Sequence, residues 1–240
     1  EKNGVITHLC DKPFEVGKSV SGKIDWARRF DHMQQHSGEH ICSGLICERF
    51  HCDNVGFHMG ADVVTIDFNA DISWDELMEI EQLANLYIYE DHPIDIQFYR
   101  GAELDKVEYR SKKPLEGDVR IVSFPGADCC ACCGTHVVRS GQVGLVKFLS
   151  VQKFRDGVRI ELLSGKRAHR YLSECWAQDV RIAQALSVKP NASFAGVERV
   201  LAELSALKQR CAKLEESVFA QTAAQYLSLI HISEPTRPLY

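Results

Sequence analysis

Two hydrophobic periods alternate along this chain, and together they predict an α+β protein. Short runs of β-branched and apolar residues bounded by Gly or Pro are typical of strands. Such runs occupy residues 4–10, 18–26, 63–68, 94–100, 119–124, 143–154 and 158–165. Apolar residues that recur every three to four positions are typical of helices, and they predict helices at 31–50, 73–91 and 166–187. The order of the elements from 31 to 165 predicts a mixed, mostly antiparallel sheet packed with helices.

Three of these elements carry a local signal for where they begin or turn. Asp31 is a candidate N-cap for the first helix. Ser73, with Glu76 three residues later, predicts a capping box at the start of the second helix. Between the last two strands, Asp156 followed by Gly157 predicts a tight hairpin.

The N-terminal part differs from this central domain, which we place at residues 29–165. Two strands alone make a poor sheet, so residues 1–28 are interpreted as the remnant of a small β domain. Because the sequence begins with Glu1 and not with a methionine, we expect it to be a piece of a longer chain.

The C-terminal part, residues 166–227, is predicted to be a helical extension. Apolar residues recur there at alternating steps of three and four, as in a coiled-coil seam. They are Val197, Val200, Leu204, Leu207, Cys211, Leu214 and Val218. The alternative is one long helix that packs on the domain core. Residues 228–240 break the repeat and resemble translated adapter sequence, so we interpret them as a non-native tail, with a disordered tail as the alternative.

Charge is distributed unevenly in a chain whose composition, 45% hydrophobic and 25% charged, is that of a soluble globular protein. The net charge is −5. Residues 139–170 hold eight Lys or Arg against two Asp or Glu, which gives +6 and leaves −11 for the rest of the chain. Such a segment is typical either of a surface that binds a polyanion or of a solvated hairpin face. No run approaches the roughly 18 apolar residues of a membrane span.

Two distant motifs predict one metal site. His36 and His40 are four residues apart, so on a helix both imidazoles lie on one face. Cys132 and His136 are also four apart, around Gly134, which we expect to turn the chain back so that the thiolate and the imidazole converge. Three imidazoles and one thiolate suit a tetrahedral Zn²⁺ ion. The sequence therefore predicts zinc bound by His36, His40, Cys132 and His136.

Other thiols compete for the sulfur position. Four of the ten cysteines fall within residues 129–133, a pattern that fits a reducing compartment and metal or thiol chemistry better than a disulfide scaffold. Cys129, Cys130 and Cys133 are alternative ligands or redox partners. Four further cysteines are interpreted as small buried apolar residues, namely Cys42, Cys47, Cys175 and Cys211.

The first motif alone favours a peptidase. His36, Glu39 and His40 form the H-x-x-E-H pattern, in which Glu39 would activate a zinc-bound water. That pattern normally takes a further carboxylate ligand from a downstream helix. Here the downstream partners are a cysteine and a histidine, so a peptidase is the weaker of the two enzyme interpretations.

The motifs together resemble a known family. From Gly22 to Leu163 the chain is similar to the editing domain shared by alanyl-tRNA synthetases and the free-standing alanyl-tRNA editing proteins. The features that carry the resemblance are H-x3-H, C-x-G-T-H, the stretch 55–68, the Ser-Gly-Gln-Val-Gly that follows His136, and the helix 73–91. The longer type of editing protein has an N-terminal β-barrel and a C-terminal helical extension, which fits both ends of this chain. One departure is Cys133, where the synthetases usually have glycine.

The resemblance implies a function and a set of partners. It implies a zinc-dependent hydrolase that removes a wrong amino acid, chiefly serine and with glycine as a second candidate, from alanine tRNA. Its role would be translation fidelity in the cytoplasm. The alternative outside catalysis is a zinc-stabilised RNA-binding module that has lost activity. A homodimer through residues 194–220 is a further expectation from the apolar seam.

Site roles follow from the same resemblance. Ser37 and His58 are candidates to contact the substrate, and Thr135 is a candidate for the catalytic site or for a turn cap. Glu39 is the candidate base by residue type, although its position beside His40 leads us to expect that it points aside, toward solvent or toward a hydrogen bond behind the metal ligands. Lys153 and Arg155 are candidates to meet tRNA phosphates.

Overall fold

The computed structural model describes residues 5–111 and 117–232. The pattern of internal contacts divides the chain into two units, Glu1–His169 and Arg170–Tyr240. Both motifs of the predicted metal site lie in the first unit.

The first unit contains two antiparallel sheets and two helices. The helices are α1 (Trp26–Phe50) and α2 (Trp74–Tyr89). The strands are β1 (Asn54–Met59), β2 (Val64–Phe68), β3 (Asp95–Arg100), β4 (Asp118–Phe124), β5 (Asp128–Ala131), β6 (Val146–Phe154) and β7 (Gly157–Ser164). Their order is β1-β2-β7-β6 in one sheet and β3-β4-β5 in the other, and every pairing is antiparallel. The predicted α+β class and mostly antiparallel sheet are confirmed.

Several local signals are confirmed, and one is corrected. The Ser73–Glu76 capping box is formed, and the hairpin between β6 and β7 turns at Arg155, whose φ is 54°. Helix α1 begins five residues earlier than predicted, with Asp25 as the N-cap that accepts from the N–H of Arg28 at 3.1 Å. Asp31 therefore lies inside the helix and instead accepts a bond from Arg167 at 2.7 Å. The apolar spacing did not predict the first turn of α1, because Trp26 is exposed and does not belong to the buried apolar face that produces the spacing.

Helix α1 is the central element of the unit and packs unusually close to its neighbours. Its apolar face buries Ile41 and Ile46 completely. Gly44 permits close approach, because a Cβ at this position would lie 2.6 Å from Cβ of Asp128 at the start of β5. The Gln35 side chain exchanges two hydrogen bonds, of 2.7 and 2.9 Å, with the backbone of Ser164 at the end of β7. Both sheets are thus tied to one helix.

The strands predicted at 4–10 and 18–26 are not formed in the part of them that the structure describes. Residues 6–25 contain no strand, and Trp26 already belongs to α1. Apolar side chains of this stretch, such as Leu9 and Val16, are exposed. An alternating pattern predicts a strand only if a partner strand is present, and the described residues provide none here. The β-barrel origin of residues 1–28 stays a prediction.

Two strands of the structure were not predicted. Strand β1 contains Gly56 and a register shift between Asn54 and Gly56, both of which weaken a strand pattern. Strand β5 is only four residues long and contains two cysteines.

The second unit is helical. Helix α3 (Gly165–Ala185) runs into it, and α4 (Ser193–Ile232) follows after a short turn. The apolar seam from Val197 to Val218 is exposed along α4, so a homodimer through it stays a prediction. The helix continues through 228–232, and the rest of the proposed non-native tail, 233–240, lies outside the described residues. Across the part of the chain that is described, none of the helices combines the length and the apolar character needed to span a bilayer.

Candidate metal centre

Four side chains from two distant segments converge at one point of the first unit. His36 and His40 lie one turn apart on α1, with ring centroids 4.9 Å apart. Cys132 and His136 reach the same point from the segment that follows β5. The ligand atoms of these four side chains all lie within 4.8 Å of one another. The helical period and the C-x3-H spacing therefore do place one thiolate and three imidazoles together.

Gly134 matters here through its lack of a side chain. Its φ is not among the positive values of the described glycines, so the turn itself does not require glycine. A Cβ at Gly134 would instead lie 2.6 Å from Nδ1 of His36. We expected Gly134 to turn the chain, but its role is steric: without a side chain, it lets the backbone pass close beside the His36 ring.

The donor set fits zinc on geometry. Sγ of Cys132 lies 3.5 Å from Nε2 of His36. Two ligands on a tetrahedral zinc, at the usual ~2.3 Å for sulfur and ~2.0–2.1 Å for nitrogen, are separated by roughly 3.6 Å. Nε2 of His40 and both ring nitrogens of His136 are buried and make no hydrogen bond within the described residues. Buried polar atoms normally have a partner, and a metal ion would supply one for these nitrogens.

The charges of the centre also favour a bound cation. Burial opposes ionisation of Cys132, yet its interactions with His136, His36 and His40 lower the pKa of the thiol to about 3. Burial keeps the pKa of His136 below its usual value, so this imidazole is neutral at pH 7. Burial would also lower the pKa of His40, but its hydrogen bond to Asp128 and the nearby Cys132 thiolate raise this pKa to about 10. Metal ligands must be deprotonated, so a bound metal ion would replace the proton on His40 and stabilise the Cys132 thiolate in its place.

Two residues that the sequence did not single out orient His40. Nδ1 of His40 lies 2.8 Å from Oδ2 of Asp128, the first residue of β5. Asp128 in turn accepts two bonds from Arg110, at 2.7 and 2.8 Å. Asp128 is buried, and these bonds, against the opposing effect of burial, keep the pKa of its carboxyl below the usual value. A carboxylate on the outer nitrogen of a histidine ligand fixes its tautomer and ring orientation.

A second group of donor atoms belongs to the same centre. His40, Asp128 and Cys130 also bring ligand atoms within 4.8 Å of one another. His40 is common to both groups, and Asp128 is already engaged by Arg110. Cys130 therefore lies beside the first group, while Cys133 is exposed and belongs to neither group.

A cavity of about 280 Å³ opens beside the four side chains. It is lined by His36, Glu39, His40, Asn54, Phe57, Arg110, Ser111, Cys130, Ala131 and Cys132. The Phe57 ring stacks on His36 with centroids 5.6 Å apart. Glu39 lines this cavity. Of the two expected orientations it has the one with hydrogen bonds behind the metal ligands and not the one toward solvent. It lies on the face of His36 because it follows His36 by three residues on the helix.

Glu39 is held by a buried hydrogen-bond network. Its Oε1 accepts from Oγ of Ser43 at 2.7 Å and from Nδ2 of Asn54 at 2.9 Å. The same Nδ2 donates to Oγ of Ser43 at 2.9 Å. Neither Ser43 nor Asn54 was predicted as a site residue. The signal for Ser43 is its spacing of i+7 from His36, which continues the face that carries His36, Glu39 and His40.

The other candidate substrate residues lie around the centre without lining the cavity. Ser37 is fully buried and accepts the N–H of Val137 at 3.1 Å, which fixes the segment that carries His136. Thr135 is exposed, and its carbonyl accepts a bond of 3.4 Å from His36. His58 is exposed on β1, one residue after Phe57, and neighbouring strand residues point to opposite faces.

Much of the predicted basic surface is neutralised by acidic residues from elsewhere in the fold. The pairs are Arg139–Asp91, Lys147–Glu81, Lys153–Asp71, Arg159–Asp67 and Arg167–Asp31. The Lys153–Asp71 pair is exposed, and Arg155 packs over the Phe154 ring without an ion pair among the described residues. The local +6 of the sequence is thus an upper limit on the basic character of this surface.

Comparison with known protein families indicates the class of domain that carries the second half of the metal centre. Residues 119–161 match the family described as the threonyl and alanyl tRNA synthetase second additional domain. The matched range contains most of β4 and β7, all of β5 and β6, and both Cys132 and His136. This match places the second half of the centre in a domain associated with those synthetases.

Similar proteins narrow this class. The chain is 28% identical over 226 residues to the alanyl-tRNA editing protein Aarsd1-A of Xenopus laevis, covering 92% of this chain and 55% of that protein. It is 29% identical over 233 residues to the alanyl-tRNA editing protein AlaX-L of Pyrococcus horikoshii, covering 91% and 56%. It is 36% identical over 180 residues to the alanine–tRNA ligase of Methanobrevibacter smithii, covering 69% and 20%. The resemblance to alanyl-tRNA editing proteins is confirmed, and the chain spans about half the length of the two editing proteins.

Proposed function

We propose that this chain is an editing hydrolase that cleaves the ester between a wrong amino acid and alanine tRNA. The wrong amino acid is chiefly serine, with glycine as the second candidate. The observation that carries the proposal is the convergence of His36, His40, Cys132 and His136 beside a cavity, in a chain similar to alanyl-tRNA editing proteins. An aminoacyl ester at the end of a single strand can be unstacked and inserted into such a cavity.

The chemistry of the two amino acids explains why a separate hydrolytic site is needed. Serine differs from alanine by one hydroxyl, and a small apolar pocket rejects an added hydroxyl only weakly. A hydrolytic site with polar groups discriminates better, because alanine would leave those groups unpaired. The buried polar network of Glu39, Ser43 and Asn54 supplies groups of this kind in the cavity wall.

Zinc is the cofactor of this proposal, held by the four converging side chains. When bound, it would polarise the ester carbonyl or orient the substrate. Four protein ligands are typical of a closed, structural site. The residues of the cavity wall therefore contribute more than the metal to positioning the substrate. Phe57 and Ala131 supply apolar contacts, and Glu39 and Asn54 supply hydrogen-bond acceptors.

Alanine tRNA is the proposed macromolecular partner. Lys153 is one proposed contact for its phosphates, because its ion pair with Asp71 is exposed and weak in solvent. Arg155 is the other, at the tip of the β6–β7 hairpin. We also propose a cytoplasmic location, where alanine tRNA is charged and used.

A deacylation assay tests this proposal. The full chain loaded with zinc should hydrolyse Ser-tRNA(Ala) much faster than Ala-tRNA(Ala), and a chelator should remove the activity. Equal rates for the two substrates would contradict an editing role. Hydrolysis that survives complete removal of the metal would contradict the role of zinc.

The alternatives give different results in the same assay. An inactive zinc-stabilised RNA-binding module is favoured by the closed four-ligand set, and it would bind tRNA and zinc without deacylation. A peptidase of the H-x-x-E-H type is disfavoured, because Cys132 and His136 occupy the place where such an enzyme has a carboxylate ligand.

A further inference from the structure

Glu39 is a fixed carboxylate in the wall of the cavity. Its residue is only 5% exposed, and both donors that hold it, Ser43 and Asn54, bind the same oxygen, Oε1. The second oxygen, Oε2, makes no hydrogen bond within the described residues. Two side chains, Ser43 and Asn54, thus hold the Glu39 carboxylate in one orientation and leave Oε2 as an available acceptor.

Asn54 also lines the cavity and has a second acceptor without a partner among the described residues. The residue is 7% exposed, and its amide nitrogen donates to both Glu39 and Ser43. These two bonds fix which end of the amide carries the oxygen. Oδ1 is buried and has no hydrogen-bonding partner in the described part of the chain. A buried acceptor without a partner costs free energy, so this atom is expected to meet a donor from a ligand or a water molecule.

We propose that Glu39 and Oδ1 of Asn54 bind the α-ammonium group of the aminoacyl ester. The inference rests on the proposed function, because it assumes that the cavity takes an aminoacyl ester. An ammonium group has three donors and a full positive charge, so it can satisfy two acceptors at once, one of them charged. A serine hydroxyl has one donor and no charge.

The other walls of the cavity support this assignment. Glu39 is the one carboxylate among the described residues that line the cavity. The lining also holds one guanidinium, that of Arg110, whose charge is already neutralised by the two hydrogen bonds that it donates to Asp128. Apart from the metal centre itself, Glu39 is thus the place in the described lining that attracts a cation, and the aminoacyl ester carries its α-amino group as a cation when protonated.

The proposal separates two kinds of recognition. Serine and alanine esters carry the same α-ammonium group, so loss of Glu39 should weaken both to the same extent. If Glu39 and Asn54 recognised the serine hydroxyl instead, loss of Glu39 would weaken only the serine ester and reduce the preference for serine over alanine.

Binding of two stable adenosine compounds tests the proposal without requiring hydrolysis. One carries a seryl group in amide linkage at the 3′ position, and the other carries 3-hydroxypropionyl, which is serine without its amino group. Calorimetry on the zinc-loaded full chain should give about 10- to 100-fold tighter binding of the seryl compound, the usual effect of a hydrogen bond to a charged group. Glu39→Gln should remove most of this ratio, whereas Glu48→Gln, an exposed carboxylate on the same helix, should leave it unchanged.

Each outcome bears on the inference or on the function. Equal binding of the two compounds to the wild-type chain, or binding of neither, would overturn the inference whatever the variants do. A ratio that is unchanged in Glu39→Gln at full zinc content would also overturn it. A clear preference for the seryl compound in a chain that deacylates no tRNA would support the inference and contradict the proposed function.

Discussion

Nδ1 of His40 lies 2.8 Å from Oδ2 of Asp128, and both side chains are buried. The contact joins α1 to β5, so it links the two segments that supply the metal-binding groups. Arg110 forms an ion pair with Asp128. It is held near Asp128 because its backbone forms an isolated β-bridge with Cys130. His40 is therefore oriented by its outer nitrogen, which leaves Nε2 to face Cys132 and the other imidazoles.

Asp128→Asn should weaken zinc binding by about 10- to 100-fold, the usual effect of changing such a partner of a histidine ligand. Asparagine keeps the size of the side chain but loses the charge that Arg110 and His40 both use. Competition with a coloured zinc chelator measures the affinity. Asp118→Asn is the matched control, because that carboxylate pairs with Arg100 on the surface. Equal affinities of wild type and Asp128→Asn would show that the contact does not orient the ligand.

The choice of sulfur ligand gives a second prediction. Cys132 lies within the group of ligand atoms, and Cys133 is exposed outside it. Cys132→Ala should therefore lose most of its bound zinc and unfold at a lower temperature, because metal binding contributes to folding. Cys133→Ala is the matched control and should keep one zinc per chain.

Metal analysis of the purified variants distinguishes the alternatives. Full zinc in Cys132→Ala, with loss in Cys133→Ala, would make Cys133 the sulfur ligand. Full zinc in a variant that lacks both Cys132 and His136 would contradict the proposed centre altogether.

The sequence predicted those parts of the centre that depend on local spacing. His36 and His40 share a helical face by period alone, and the same period puts Glu39 and Ser43 there. The sequence did not predict Asp128 and Arg110, because their contact with His40 depends on how β5 packs on α1 and on the bridge to residue 110. The same limit explains residues 6–25, where an alternating pattern predicted strands although a strand also requires a partner.

Charge reversal on the β6–β7 hairpin tests the proposed tRNA surface. Lys153→Glu combined with Arg155→Glu should weaken tRNA binding and reduce its salt dependence by about one to two units of slope, since each lost phosphate contact contributes ~0.7–0.9. The zinc content should not change. Binding measured at several salt concentrations provides the slope.

Its control is Lys208→Glu combined with Arg210→Glu, which makes the same change of charge on α4. If the hairpin variant binds tRNA as tightly as the wild type and the control at every salt concentration, the hairpin is a solvated face. Lys153 would then serve in its exposed ion pair with Asp71 and not in tRNA binding.

The last prediction concerns the part of Glu39 in the chemical step. A general base at this position would contribute about 10²- to 10⁴-fold to the rate. Glu39 instead uses Oε1 to hold Ser43 and Asn54, and the proposed use of Oε2 is to bind the α-ammonium group. Glu39→Gln keeps an acceptor for Ser43 and Asn54 but removes the charge. We therefore expect the turnover rate on Ser-tRNA(Ala) to change little and KM to rise, because an interaction made equally in the ground state and the transition state affects binding alone.

Steady-state kinetics of Glu39→Gln, with zinc content measured in parallel, checks this expectation. If the variant at full zinc content turned over about a hundredfold more slowly than the wild type, or more slowly still, Glu39 would be assigned as the general base.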